Sequence, residues 1–251
     1  MPIHSHYCSY FGIIFLVVCF NLCYCQTTIS EAFYGGGGDD EFYSVFATSN
    51  ERFLAVGYTE SIVDKAKEIL FRVIDTSGHV QIQRNIGGVG DDIANEAIET
   101  FDGGFAIVGG SNSKLEASIG QNDALLIKTD EAGEPLWYKL FGTSEDDIFN
   151  TIVQLPTGHF VLGGQFGNNG IIVCLDQWNG ELLWDYMVQL EESSIINDIT
   201  LTNNNTVIAI GTRGQGTPTS AFLLELSITG EIHRQVKTFP EEGLITGKTL
   251  I

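Results

Sequence analysis

Cysteine is almost absent from this chain outside its first 25 residues. Of the five cysteines, only Cys174 lies beyond Gln26. A single thiol excludes an internal disulfide framework from the rest of the chain. Because Cys174 lies in the apolar segment IIVCLD, we predict a buried and unreactive side chain.

Basic residues are also scarce. The chain has 12 lysines and arginines against 32 acidic residues, which gives a formal net charge of −20. No charged residue precedes Glu31, so the rest of the chain carries all of this charge. The negative electrostatic potential of such a chain repels polyphosphates and argues against binding to nucleic acid or anionic membranes. It suits solubility, cations or basic partners.

Long hydrophobic runs are missing except for one near the N-terminus. The run from Tyr10 to Cys23 is too short for a comfortable membrane span, and it predicts a signal peptide over residues 1–25. The segment before it lacks lysine and arginine, so a membrane anchor that stays uncleaved remains an alternative. We therefore expect a secreted or cell-surface protein whose repeat domain covers residues 26–251.

The short motifs of common hydrolases and metalloenzymes are absent as well. The sequence contains no H-E-x-x-H, no G-x-S-x-G and no Cys/His cluster, which are patterns that bring a nucleophile, a base or metal ligands together. The histidines after the leader are His79, His159 and His233, each in a different part of the chain. We interpret them as surface residues, and the sequence predicts no catalytic and no cofactor-binding residue.

What the sequence does contain is a repeat of about fifty residues. Its clearest copy is IGGVGDDIANEAIETFDGGFAIVGG, from Ile86 to Gly110. A glycine closing the second apolar segment recurs at steps of 52, 55 and 47 residues, at Gly57, Gly109, Gly164 and Gly211. The copies cover residues 34–85, 86–140, 141–189 and 190–238, and a partial fifth covers 239–251. A constant period of this length indicates one supersecondary unit repeated along the chain.

Each copy reads as four short strands without helical periodicity. In the second copy we predict strands at Ile93 to Thr100, Phe105 to Val108, Ala124 to Thr129 and Pro135 to Phe141. Tight turns rich in glycine and aspartate separate these strands. The sequence therefore predicts an all-β protein, a β-propeller of four-stranded antiparallel blades, with four blades and the start of a fifth.

Two alternatives stay open for the ends of this array. The segment from Thr28 to Phe33 resembles a leftover fourth strand, and Leu244 to Ile251 resembles a first strand. These segments either pair and help to close the ring, or the sequence belongs to a longer array with further blades, which we prefer. Exposed apolar edges at such ends would otherwise invite aggregation.

Two segments resemble the repeats of known propellers. CLDQWNGELLW, from Cys174 to Trp184, and KTDEAGEPLW, from Lys128 to Trp137, are similar to quinoprotein (PQQ)-like blades, and the wider frame is similar to WD40-like repeats in secreted and cell-surface proteins. The resemblance implies that Trp137 and Trp184 dock adjacent blades. The first and fourth copies have Ile82 and Arg234 near that position.

Paired acids mark one rim of the predicted propeller. In an antiparallel blade, successive connections between strands lie at opposite ends. The links between blades therefore lie at the same rim as the loops that join the second strand to the third. These loops add Asp64 and Asp123. The fourth copy carries Ile195-Ile196 at the position of the pairs. Carboxylate clusters suit calcium, whereas an aspartate after glycine also caps a turn. Both interpretations apply to the pairs Asp39-Asp40, Asp91-Asp92 and Asp146-Asp147.

These features favour a non-catalytic binding or scaffold module whose partner is an extracellular protein or glycan. The sequon at Asn204 lies at the end opposite the acidic rim, so a glycan there would leave the rim free. Aromatic residues suit either a ligand rim or packing between blades: Tyr34, Phe42, Tyr58, Phe149 and Phe166. The alternative is a propeller enzyme, quinoprotein-like or a hydrolase, with its site on the acidic rim.

Overall fold

Every element that the structure describes is a β-strand. A computed structural model describes residues 34–62, 66–113, 120–214 and 219–237, and for 235–237 the backbone alone. The leader, the segments 28–33 and 239–251, and Asp64 lie outside these ranges. Within the described ranges, no helix is long and apolar enough to cross a membrane.

The strands form four sheets, which we call blades 1 to 4. Blade 1 contains β1 (Asp40–Ala47), β2 (Phe53–Thr59), β3 (Glu68–Ile74) and β4 (Val80–Ile86). Blade 2 contains β5 (Asp92–Glu99), β6 (Phe105–Ser111), β7 (Asp123–Thr129) and β8 (Pro135–Phe141). Blade 3 contains β9 (Asp147–Gln154), β10 (Phe160–Phe166), β11 (Asn169–Leu175) and β12 (Leu182–Met187). Blade 4 contains β13 (Ser194–Leu201), β14 (Thr206–Arg213), β15 (Ser220–Ser227) and β16 (Ile232–Lys237).

The four sheets pack as consecutive propeller blades. Strands pair antiparallel in chain order within each sheet. The first strand of each blade contacts the first strand of the next, and it also packs against the middle strands of the blade before it. This radial stacking confirms the predicted all-β propeller architecture. Among the described strands, blade 4 does not pack back onto blade 1, so the four blades form an open arc.

The core of the molecule lies between blades, because the middle strands are apolar on both faces. Phe71 of blade 1 meets Phe105 of blade 2 edge to face, with ring centroids 5.2 Å apart, and Phe160 is equally buried between blades 2 and 3. The Cys174 thiol is buried, and this burial raises its pKa to about 12. The prediction of a buried cysteine is therefore confirmed, and the raised pKa favours a thiol that stays protonated and unreactive.

A β-bulge in the first strand of each blade explains the recurring glycine. The pairing of β5 with β6 shifts register between Ala94 and Glu96, and Gly109 lies opposite this bulge. A Cβ atom added to Gly109 would collide with the backbone of Ile93, and its neighbour Ala94 Cα would be only 3.0 Å away. Equivalent collisions occur at the other repeat glycines, Gly57, Gly164 and Gly211. The repeat glycine is thus required by close backbone approach rather than by a turn.

Candidate functional site

The second aspartate of each acidic pair is tied into the loops that build the rim. In blade 2 the Asp92 carboxylate is buried. One oxygen accepts hydrogen bonds from the Gly88 N–H and the Ser113 hydroxyl, both at 2.7 Å, and the other accepts from the Ser111 hydroxyl. The side chain therefore joins the glycine-rich link before blade 2 to the loop after β6.

Blade 1 repeats this arrangement with the equivalent glycine and serine, and blade 3 repeats it with different donors. Asp40 accepts from the Gly36 N–H and the Ser61 hydroxyl at 2.7 Å. Desolvation by burial, the largest single effect, acts to raise the pKa of Asp40, but the Thr59 hydroxyl, the Gly36 N–H and the Ser61 hydroxyl together outweigh it and lower the pKa. Asp147 accepts from the backbone N–H groups of Thr143 and Gly167. Such contacts favour the interpretation of these aspartates as caps of the link loops.

The fourth blade corrects one sequence assignment. Strand pairing places Ser194 opposite Arg213, in the register that Asp92 has with Ser111. Ser193-Ser194, rather than Ile195-Ile196, therefore occupies the position of the acidic pair. The alignment of the other copies relies on a glycine run in the link before the blade, and the link before blade 4 has none. The sequence alignment was therefore wrong by two residues in this copy.

The first aspartate of each pair faces the rim surface. Asp39 and Asp146 are exposed and Asp91 is half-buried. Asp91 accepts a hydrogen bond from the Lys67 N–H at 3.0 Å, and Asp146 accepts from the Asn122 amide at 2.8 Å. Because side chains alternate along the chain where a strand begins, each pair is split between surface and interior.

Asp123 does not join the acidic rim. It was expected in the loop after β6, but it is the first residue of β7 and is only 1% exposed. Its carboxylate accepts the Gly120 N–H at 3.0 Å, so it stabilises the loop from inside.

The rim opens into a cleft between blades 2 and 3. The cleft has a volume of about 580 Å³, within the range of ligand sites in proteins. Four carboxylates line it together with side-chain amides, and no basic side chain does so among the described residues. These polar residues are Asp91, Asn122, Glu145, Asp146, Asp147, Gln165 and Asn168. The cleft combines negative charge with hydrogen-bonding groups and therefore attracts cationic groups.

In blades 2 and 3 the loops engage the carboxylate oxygens that a calcium ion would use. Calcium takes six to eight oxygen ligands, whereas both oxygens of Asp92 and Asp147 already accept protein N–H or O–H groups. Within the described ranges, no group of three or more histidine, cysteine, aspartate or glutamate side chains is arranged to hold a metal ion.

We expect millimolar calcium to leave the melting temperature of the protein unchanged relative to EDTA, because the cap contacts need no ion. Circular dichroism melts under both conditions measure this. Asp92→Asn serves as the comparison, since it should lower the melting temperature equally with and without calcium. A rise with calcium that Asp92→Asn abolishes would show that the pairs hold an ion after all.

The inner strands carry a polar ladder that sequence reasoning missed. The Asn95 amide donates to the Phe149 carbonyl oxygen at 2.9 Å, and the Asn150 amide donates to the Ile196 carbonyl oxygen at 2.8 Å. Each bond joins one blade to the next at the bulge. The recurrence of asparagine at the equivalent position in blades 2, 3 and 4, the last being Asn197, is the signal that could have revealed it.

The residue after each bulge asparagine extends this ladder. A Glu96 carboxylate oxygen accepts the Ile152 N–H at 2.7 Å. The Thr151 hydroxyl accepts the Ile199 N–H at 3.2 Å and lies 3.1 Å from an Asp198 carboxylate oxygen. Burial raises the pKa of Glu96 to about 7, and the nearby charge of Asp198 adds to this effect.

The two tryptophans expected at blade contacts reach the following blade. A Cβ atom on Gly180 would lie 3.0 Å from the Trp137 ring, and one on Gly230 would lie 2.7 Å from the Trp184 ring. The Trp184 indole also donates to the Ile228 carbonyl oxygen at 3.1 Å. In blade 1 the shorter Ile82 approaches Gly133. Glycine with positive φ at these turns, between 64° and 87°, makes room for the rings.

The other candidate residues are spread over the molecule. Phe149 is fully buried in the packing between blades rather than on a ligand rim. Tyr58 is also buried, and its ring contacts Tyr43 and the Lys67 ammonium group. Phe42 is 38% exposed and stacks edge to face on Tyr34. The partly buried Phe166 contacts Phe149 with ring centroids 5.6 Å apart.

The remaining polar candidates lie on turns, except for His233, which lies near the start of β16. His79 and His233 are exposed, and His159 is half-buried near Asp176. Asn204 is exposed in the turn between β13 and β14, at the end opposite the cleft. A glycan at Asn204 remains a prediction.

The comparisons with known proteins find similarity only among solved structures, since no family model and no curated protein matches. The Dos1 propeller is 11% identical, with a TM-score of 0.45, and the match covers 80% of this chain and 60% of that one. An endo-1,4-beta-xylanase from Bacteroides thetaiotaomicron is 13% identical, with a TM-score of 0.46 and coverage of 82% and 74%.

A quinonprotein alcohol dehydrogenase-like protein from the same bacterium is 11% identical, with a TM-score of 0.33 and coverage of 78% and 55%. This chain thus spans about 60% of the Dos1 structure that it matches. At these TM-scores the assignment of propeller blades rests on the sheets and their stacking.

Proposed function

We propose that this chain is an extracellular, non-catalytic β-propeller module that binds a basic segment of a partner protein. The observation that carries the proposal is the cleft between blades 2 and 3, where Asp91, Glu145 and Asp146 line one opening. Lysine and arginine side chains are the groups that such a cluster recognises best.

The surroundings of the cleft support this role. Asn122 and Asn168 add neutral amides beside the carboxylates, and amides can bind the backbone of an extended peptide. The sequence-predicted leader would deliver the chain to the extracellular space, and Asn204 would carry its glycan at the far end of the blades.

An octalysine peptide tests the proposal directly. We expect the triple variant Asp91→Asn, Glu145→Gln, Asp146→Asn to bind a fluorescent octalysine peptide at least about tenfold more weakly, because three exposed charge contacts together contribute roughly 1.5 kcal/mol or more. Fluorescence anisotropy at low salt measures the affinity. Asparagine and glutamine keep the acceptor oxygens that hold the loops.

The matched control removes three charges from the opposite end of the blades. Glu131, Glu181 and Glu231 are exposed in the third-to-fourth strand turns of blades 2, 3 and 4, so their conversion to glutamine changes the net charge by the same amount. This control should change the affinity less than about twofold. Equal weakening by both triple variants would mean that the peptide responds to overall charge, and the proposed site would be wrong.

A further inference from the structure

The three interfaces between blades bury equivalent positions of the following blade. At the first position the residues are Ala94, Phe149 and Ile196, each 0% exposed. At the second position the residues are Ala97, Ile152 and Ile199, at most 4% exposed. At the third position the residues are Phe105, Phe160 and Val207, each 0% exposed. The blade before covers these residues in every case.

Blade 1 carries apolar residues at the same positions without a blade to cover them. By strand register these residues are Phe42, Val45 and Phe53. They are 38%, 70% and 43% exposed. We call these three residues the blade-1 face. Apolar side chains that are buried in three copies and exposed in the fourth indicate a surface that another blade covers.

Blade 4 presents the other half of the same interface. Its residues Ile208, Ile210 and Leu223 are only half-buried, and we call them the blade-4 face. In blade 2 the equivalent residues Ala106, Val108 and Leu126 are each 0% exposed because blade 3 covers them. In blade 1 the equivalent residues are Leu54, Val56 and Phe71, at most 1% exposed.

In the fourth strand of blade 4, the position that holds a tryptophan in blades 2 and 3 is occupied by a charged residue. Arg234 pairs with Glu225 in the register that Trp184 has with Cys174, and Arg234 is exposed. The blade-4 face therefore has the apolar middle strands of a blade contact and a charged outer strand, which suits an interface that must also tolerate solvent.

We propose that two copies of this chain dock head to tail, with the blade-4 face of each copy against the blade-1 face of the other. The two faces are complementary because they are the two halves of a contact that the chain already makes three times. The four described blades of two copies would together form a ring of eight, which is within the range of known propellers. A two-fold axis would close the assembly. The cleft between blades 2 and 3 lies away from both faces, so this inference is independent of the proposed binding function.

The mass of the full chain in solution tests the proposal. The protomer mass is 27.4 kDa, and we expect light scattering after size exclusion to give twice this mass. Val45→Glu and Leu223→Glu should each give monomers, because each variant spoils one half of every interface. Val89→Glu is the matched control, since Val89 is 86% exposed on the rim link, and this variant should remain dimeric.

Mixing the two variants distinguishes head-to-tail docking from other arrangements. Val45→Glu keeps an intact blade-4 face and Leu223→Glu keeps an intact blade-1 face, so the mixture should regain a dimer with one intact interface. Circular dichroism checks that both variants fold. If Leu223→Glu does not fold, the variant Arg234→Asp is used in its place. Arg234 is exposed on the fourth strand beside the blade-4 face, so this variant changes the charge at the same interface.

Three outcomes would overturn the proposal. The first is a wild-type monomer at concentrations of hundreds of micromolar, and the second is an open series of larger species. The third is a dimer that survives either Val45→Glu or Leu223→Glu, because that dimer would pair like faces.

Discussion

Gly109→Ala is expected to lower the free energy of unfolding by about 3 kcal/mol or more, and the melting temperature by roughly 6 to 12 °C. The added methyl group would collide with the carbonyl group of Ile93, whose carbon would lie 2.9 Å away, and with Ala94 Cα at 3.0 Å. These are backbone atoms of the bulged strand, so no side-chain rotation relieves the clash.

The bulge itself cannot move without cost. Asn95, at the bulge, donates to the Phe149 carbonyl oxygen of blade 3, and Ala94 and Ala97 on either side are buried against blade 1. Shifting the strand away from a Cβ atom at position 109 would therefore disturb two interfaces. For this reason the expected loss exceeds that of an ordinary change in strand propensity.

The neighbouring Gly110→Ala is the matched control. A Cβ atom there would meet the Ile148 side chain at 3.5 Å or more, which is ordinary van der Waals contact. Its effect should lie within about 1 kcal/mol, because the loss of chain freedom in the unfolded state offsets small strains. Guanidinium unfolding curves of the two variants give the comparison. Equal destabilisation by both would show that the close approach at position 109 is not what selects glycine.

This glycine also shows what sequence patterns can and cannot predict. The spacing from Gly57 to Gly211 defined the repeat, and strand β8 begins and ends where the pattern placed it. The physical reason for the glycine was not visible, because the sequence alone does not show which residue lies opposite the bulge. The predicted strand therefore ended at Val108, whereas the structure places Gly109 inside β6.

The candidate site was predictable in position but not in detail. The order of strands within a blade places the links between blades on one rim, and the structure brings Asp91 and Asp146 together there. The residue at which the strand begins decides which aspartate of each pair points inward. A sequence pattern does not fix this boundary to within one residue. The buried Asp92 and Asp147 therefore act on the loops, and Glu145 was recognised as part of the cleft only from the structure.

Glu96→Gln is expected to stabilise the protein at and above pH 7 and to have little effect near pH 4. Burial raises the pKa of Glu96 from 4.5 to about 7. Because the folded state binds this proton more tightly than the unfolded chain, wild-type stability falls as pH rises from about 4.5 to about 7. The full difference corresponds to about 3 kcal/mol. Glutamine stays neutral throughout and therefore avoids this loss.

The substitution keeps the hydrogen bond from Ile152. A glutamine side-chain oxygen can accept the Ile152 N–H as Glu96 does, and a neutral amide is not repelled by the Asp198 carboxylate, whose charge opposes ionisation of Glu96. The predicted gain thus comes from removing a buried negative charge rather than from new packing.

Urea unfolding at pH 4.5, 6 and 8 measures this dependence. Glu131→Gln removes the same charge from an exposed turn, and this control should change stability by less than about 0.5 kcal/mol at every pH. A gain for Glu96→Gln that is small at pH 4.5, larger at pH 6 and largest at pH 8 would locate the titration at the ladder between the inner strands. If Glu96→Gln instead loses stability at all three pH values, the ionised carboxylate is a necessary part of that ladder, and the interpretation of Glu96 as a neutral acid in the folded protein is wrong.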